Sequence, residues 1–211
     1  MRETTQVLQS HERLLCAARD LMAEVGYGAM SMRKLAERVG IQAGSLYHHV
    51  ASKQDLLLDV LLDTLTQRLA AWQCGAYSRD LHGYLRFLLA RQRSHPFEVT
   101  MLRHESRHIE PGKRKWLEQA LACSQAPLLT IVEQGQLNGH FRVEDTAGTV
   151  EAILALVETA DGMRHRMIPV DEVWIEAWIT QMSLALLSAP GVAASSVCES
   201  CKAHVATISQ A

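Results

Sequence analysis

The stretch SMRKLAERVGIQAGSLYHHVASK, from Ser31 to Lys53, constrains the fold of this chain more than any other. Apolar side chains fall at Leu35, Val39, Ile41 and Leu46, with Ala36 small enough for two helices to cross closely. That spacing predicts one helix from Met32 and a second from about Gln42 to His49. Gly40 stands between them, where a left-handed backbone is cheap only for glycine. Ser31 can cap the first helix by accepting a bond from a free backbone N–H. A turn this short joins two helices at a steep angle, the grammar of a helix-turn-helix. The outward face of the second helix carries Gln42, Ser45 and His48, with Tyr47 beside them. A core needs none of these, and each can bond to phosphates or base edges. Gly44 costs about 1 kcal/mol inside a helix relative to alanine, and a glycine there lets the backbone come close to DNA. The alternative is an ordinary helical hairpin within a core.

The longer run GIQAGSLYHHVASKQDLL resembles the signature of the TetR family of bacterial repressors. In that signature a glycine, a small residue, Leu-Tyr, an aromatic or His pair and Ser-Lys follow one another in this order. The resemblance covers roughly Leu14 to Leu62. Gln42 stands where the family usually has a capping Ser or Thr, and Val50 where it usually has Phe. The first departure bears on base preference, the second on a core side chain. The resemblance implies an all-α fold of about nine helices. An N-terminal three-helix helix-turn-helix domain would be followed by a C-terminal helical bundle for ligand binding and dimerisation. The expected DNA contacts are Ser31, Arg33, Lys34, Gln42, Ala43, Gly44, Ser45, Tyr47, His48 and Lys53.

Charge supports a local rather than a global nucleic-acid contact. The chain as a whole carries a formal −2. Between Ser31 and Lys53, however, Arg33, Lys34, Arg38 and Lys53 face only Glu37, a local +3. That modest patch, presented twice by a dimer, suits a specific regulator better than a non-specific DNA coat. With 211 residues, 48% hydrophobic and 21% charged, the chain has room for one or two ordinary globular domains. No run of 18 apolar residues occurs, which argues against a membrane span. The N-terminus lacks the basic-then-apolar order of a signal peptide. Five scattered cysteines do not read as a disulfide framework, so a reducing cytoplasm is expected.

Along the chain, helical spacing predicts a first helix from Thr5 to Val25, ended by Gly26 and Gly28. Ser52 and Asp55 form a variant capping box that opens a fourth helix, running towards Trp72. A fifth is expected over Arg79 to Ser94 and a sixth from Phe97 to about His108. A seventh should span Lys113 to Leu137, with Pro127 as a kink. An eighth runs from Asp145 or Thr146 to Arg166, and a ninth from Pro169 or Asp171 to Ser188. This divides the chain into a DNA-binding domain at 1–52, a ligand-binding and dimerisation domain at 53–190 and a tail at 191–211. The eighth and ninth helices are apolar around more than one narrow stripe, so each should bury two faces. An intramolecular bundle would use both; the resemblance implies a homodimer instead.

Other chemistry is sparse. Cys198, Cys201 and His204 make a C-x-x-C-x-x-H run, and a metal- or redox-responsive sensor built on it is the alternative function. One face of a short tail helix explains the same residues. His104 and His108 stand four apart beside Glu105 and Glu110, a possible metal pair or a polar surface. No GxSxG, Walker or Rossmann pattern occurs, so neither an enzyme site nor a resident cofactor is expected.

The expected partners are double-stranded operator DNA and a small-molecule effector. The basic cluster of Arg103, His104, Arg107, His108, Lys113, Arg114 and Lys115 is either solvated surface or a seat for an anionic effector, which the family resemblance would make acyl-CoA-like; a hydrophobic effector is the other option. The effector pocket is expected among helices five to eight. Its apolar wall would be Leu85, Leu88, Leu89, Met101, Leu121, Leu128, Ile131, Leu154 and Val157, with Arg103, His104 and Arg107 orienting the ligand.

Overall fold

The computed structural model describes the backbone of residues 2–165 and 171–188, and side chains from residue 10 onward. Among these residues every regular element is helical. The helices are α1 (Arg2–Ala29), α2 (Met32–Val39), α3 (Ala43–Leu46), α4 (Lys53–Cys74), α5 (Leu81–Ser94), α6 (Pro96–Thr100), α7 (Pro111–Leu137), α8 (Thr146–Arg164) and α9 (Glu172–Ser188). Between α6 and α7 a π turn, Met101–Glu105, runs into a 3₁₀ turn, Ser106–His108.

Capping chemistry sets most of the boundaries. Ser52 Oγ accepts from the Asp55 N–H and donates to the Asp55 carboxylate, which opens α4. Asp80 and Asp145 do the same for α5 and α8, accepting from the Gly83 and Gly148 N–H groups. The first helix is broken at Gly26, whose φ of 76° and ψ of 157° only glycine adopts readily. One further turn follows the break, closed by Met30 N–H to the Gly26 carbonyl at 3.1 Å.

Three expectations need correction. The second helix of the helix-turn-helix spans Ala43–Leu46 rather than reaching His49. Gly44 and Ser45 are weak helix formers, and the chain continues past Leu46 through i→i+3 bonds, His48 to Ser45 and His49 to Leu46. The sixth helix is not continuous: it loosens into the π turn at Met101 and tightens into the 3₁₀ turn at Ser106. Finally, α7 begins at Pro111, where proline's missing N–H costs nothing.

Two apolar cores share α4. The first gathers Leu14, Leu21, Leu35, Leu46, Leu56 and Leu61 from α1 to α4, and takes in Met101, Ile109 and Leu117 from beyond α5. The second holds Trp72 at the far end of α4 with Tyr84, Leu85, Leu128, Ile153, Ile175 and Ile179. Each such leucine contributes about 1.5–3 kcal/mol through burial. In the second core Trp72 meets Tyr84 edge-on at 4.8 Å, a favoured aromatic geometry. One helix therefore spans both cores.

The outer face of α9 stays apolar, whereas that of α8 carries Glu151, Thr159 and Asp161. Ile175, Ile179 and Leu187 point inward, while Val173, Trp174 and Leu184 are exposed, Val173 at 73%. Trp174 stacks on Trp178 at 6.2 Å. Among the described residues no helix is long and apolar enough to cross a membrane.

Candidate nucleic-acid interface and effector cavity

The interface is built on a rigid corner. Ser31 Oγ accepts from the Lys34 N–H at 3.2 Å and starts α2. Gly40, at φ 79°, ends it: its N–H reaches the Glu37 carbonyl at 3.2 Å, and the Ile41 N–H reaches that of Ala36 at 3.0 Å. This is the paired C-terminal cap that only a left-handed residue closes. Leu35 and Leu46 are wholly buried and lock the two helices together. The corner holds the rest of α3 outward.

Gln42, Ala43, Gly44, Ser45, Tyr47 and His48 are all exposed, as is His49. Gln42 begins α3 without a side-chain cap bond, so its amide is not tied to the helix. A Cβ placed on Gly44 would meet no protein atom within 4 Å. Nothing in the protein therefore requires glycine there, and the open side faces outward. On α2, Arg33 is 84% exposed and pairs with Glu37 at 3.2 Å. Lys34 is exposed too. Arg38 behaves differently: it makes a two-pronged bond to Glu24 of α1, at 2.8 and 2.6 Å. That guanidinium holds the Glu24 carboxyl below its usual range. The local charge is thus lower than the segment alone suggests, because its counter-charge comes from outside it.

Lys53 opens α4 half-buried. Its Nζ donates to the Gly28 carbonyl at 3.3 Å and sits 4.3 Å over the Tyr27 ring. Burial pulls its pKa down, since water no longer fully solvates the ammonium. One donor is engaged and the others remain for a phosphate.

The residues beyond α6 tie this module to the bundle. Glu105 accepts from the Tyr27 N–H at 3.2 Å. Gln54 donates to the His108 carbonyl at 2.7 Å and accepts from the Glu110 N–H at 3.3 Å. Lys113 bonds Asp55 at 2.6 Å, which lowers the Asp55 pKa. His108 lies against the Tyr27 ring, 5.3 Å between centroids, while His104 is exposed. The π and 3₁₀ turns spoil the i, i+4 alignment that would have paired these two histidines. No group of three His, Cys, Asp or Glu suited to a metal occurs among the described residues. Cys198, Cys201 and His204 lie outside them.

A cavity of about 320 Å³ opens among α4 to α8. Of the expected pocket residues, Leu88, Arg103, Leu121, Leu154 and Val157 line it. Leu85, Leu89 and Leu128 are buried in the second core, with Ile131 packed against it, and Met101 belongs to the first core. His104 and Arg107 stand exposed on the surface. Sequence reasoning missed the polar wall: Arg68, Arg91, Gln92, Glu98 and Gln125. A signal was available, since Gln92 continues the Leu85, Leu88, Leu89 stripe, and a polar residue on an apolar stripe marks a polar interior.

Comparisons with known proteins agree with this architecture. Residues 14–60 match the family model described as bacterial regulatory proteins, tetR family. The HTH-type transcriptional repressor Rv1474c of Mycobacterium tuberculosis is 30% identical over 157 residues, 74% of this chain and 80% of that protein. The uncharacterized HTH-type transcriptional regulator YdeS of Bacillus subtilis is 31% identical over 87 residues, 39% of this chain; the match spans only 44% of YdeS. Among solved structures, a tetR-family regulatory protein from Rhodococcus RHA1 has a TM-score of 0.72 at 20% identity, over 86% of this chain and 98% of that one. AibR, solved with isovaleryl coenzyme A and operator DNA, has a TM-score of 0.65 at 19% identity, over 86% of this chain and 100% of that one. With the matched segment ending in α4 and the longer relative extending through the bundle, the chain belongs to the TetR family of bacterial regulatory proteins.

Proposed function

We propose that this chain is a ligand-responsive DNA-binding transcriptional regulator. It acts as a cytoplasmic homodimer that represses by occupying an operator and lets go when a small molecule fills the bundle cavity. It carries out no catalysis of its own. The observation that supports this best is the α2–α3 corner, whose buried leucines hold Gln42, Gly44, Ser45, Tyr47 and His48 against solvent, with no side-chain hydrogen bond from them among the described residues. Residues 1–52 form the DNA-binding domain and 53–190 the ligand-binding and dimerisation domain. Ser31, Arg33, Lys34, Tyr47 and Lys53 bond phosphates, Gln42, Ser45 and His48 read bases, and Ala43 and Gly44 admit the DNA backbone. Dimerisation uses α8 and α9, including the exposed apolar face of α9 where Trp174 and Leu184 lie.

Release follows from differential binding. A ligand shifts the protein only by preferring one shape of the dimer over another. Leu102 and Arg103 line the cavity, while Glu105 of the same π turn holds the Tyr27 N–H of the DNA-binding module. A ligand that moves this turn moves the module and spoils the roughly 34–36 Å spacing of the two recognition helices. The effector is a small hydrophobic or acyl-CoA-like molecule; AibR, of similar fold, was solved with such a thioester. The test is a mobility shift on DNA upstream of the chain's own coding region, with and without candidate effectors. Saturable, salt-dependent binding that an effector abolishes supports the proposal. No shift at any salt concentration rejects it.

A further inference from the structure

One corner of the cavity gathers two arginines about one glutamate. Glu98 of α6 is 7% exposed and is shared by two arginines: Arg91 Nε at 2.7 Å and Arg68 Nη1 at 3.7 Å. Arg91 is 10% exposed and Arg68 16%, so two cations and one anion sit together, largely removed from water. Arg68 spends its Nε and Nη2 on Ser124 Oγ, at 3.1 and 2.8 Å. The terminal nitrogens of Arg91 make no hydrogen bond among the described residues. Across the whole lining three arginines meet three glutamates, so the excess is local to this corner. Arg103 and Glu158 neutralise each other across 2.8 Å, and Glu151 lies exposed at the rim. The terminal nitrogens of Arg91 reach solvent, so they are free to take a ligand anion in place of water. Arginine's planar fork suits a carboxylate in particular.

Resting on the reading of this cavity as the effector site, we propose that its ligand is an organic monocarboxylic acid. The carboxylate takes the free edge of Arg91, with Arg68 beside it. The hydrocarbon part lies on Leu88, Leu121 and Leu154. A cavity of about 320 Å³ suits a small acid, being at the low end of ligand pockets, whereas the nucleotide half of a CoA thioester would hang outside it. The acid also has a route to the DNA-binding module. Its charge sits beside that of Glu98 on the same pair of guanidinium groups, and two carboxylates that close together repel. The relief is a shift of α6, which runs directly into the π turn that carries Glu105.

The test is titration calorimetry of the full chain with hexanoate, octanoate and 3-phenylpropanoate, each beside its carboxamide and its CoA thioester. At least one free acid is expected to bind about tenfold tighter than its amide. Arg91→Gln should weaken that acid by about tenfold and leave the amide unchanged. Glu98→Gln removes the neighbouring carboxylate and should tighten the acid severalfold, a gain that misfolding cannot mimic. Equal binding of acid and amide, binding of CoA thioesters alone, no binding of any acid at millimolar concentration, or no gain in Glu98→Gln would each overturn the proposal. Operator binding separates the two levels. Acids that bind in this pattern yet leave the DNA complex intact uphold the anion site and reject its effector role. Release of DNA by an uncharged compound, with every acid inert, rejects the anion site and leaves the effector role standing.

Discussion

Gly44→Ala should move stability and DNA affinity in opposite directions. The position is helical, and an added Cβ meets no protein atom within 4 Å. Alanine in place of glycine stabilises a helix interior by about 1 kcal/mol. Gly44 is the second residue of a four-residue helix, so the gain lies between zero and that figure. The melting temperature should therefore stay level or rise by about 2–4 °C at most. The methyl group nevertheless occupies the space through which the α3 backbone would approach DNA. It holds a phosphate or base off by about 1.5 Å, one carbon–carbon bond, enough to lose a hydrogen bond of about 1 kcal/mol. A dimer loses one at each half-site, about 2 kcal/mol together, or roughly thirtyfold in Kd. Fluorescence anisotropy on operator DNA, run beside a thermal melt, measures both quantities. Unchanged affinity would refute close approach at Gly44. Loss of affinity together with a lower melting temperature would show that Gly44 serves the fold.

Gln42→Ala should change preference at one base position per half-site by about 1–3 kcal/mol, read by selection on randomised operators; a uniform loss across all variants counts against base contact. Tyr47→Phe and Lys53→Ala should weaken every sequence alike, and losing Lys53 should lower the salt slope by about one unit; lost sequence preference with an unchanged slope rejects the phosphate role. Trp174→Asp with Leu184→Asp should yield a folded monomer in analytical ultracentrifugation, because both side chains lie on the exposed apolar face of α9; a persistent dimer places the interface elsewhere. Arg103→Ala should leave operator affinity near wild type while blunting induction, since Arg103 lines the cavity and lies outside the α2–α3 corner; operator binding lost before any ligand is added would show a structural role.

The helix-turn-helix was legible because its signals are local. Ser31 caps within three residues, Gly40 closes its own turn, and Leu35 and Leu46 announce their burial by spacing. The length of α3 was less legible, because apolar periodicity continues to Val50 although the hydrogen bonds past Leu46 change type. The π turn at Met101 left no mark in the sequence pattern: Met101 is buried in the first core, and Leu102, packed against that core, also lines the cavity. The cavity itself depended on contacts between distant segments. Arg68, Glu98 and Ser124 are far apart in the chain and meet only once α4, α6 and α7 have packed. Leu85, Leu89 and Leu128 look no different in sequence from Leu88 and Leu121. Leu88 does both, filling the second core and lining the cavity, and only the packed rotation of each helix decides which leucines reach the space. The charge of the DNA face was also misjudged locally, since Glu24 sits on α1 and binds Arg38 across the corner.

The central claim is that the α2–α3 corner reads DNA in sequence. Its most direct test is a salt-titrated anisotropy measurement of the full chain on its upstream DNA and on a scrambled copy of equal length. Log affinity should fall linearly with log salt on both, with the native sequence bound about a thousandfold or more tighter at physiological salt. Equal affinity for native and scrambled DNA at every salt concentration, or no binding to either, would contradict the claim.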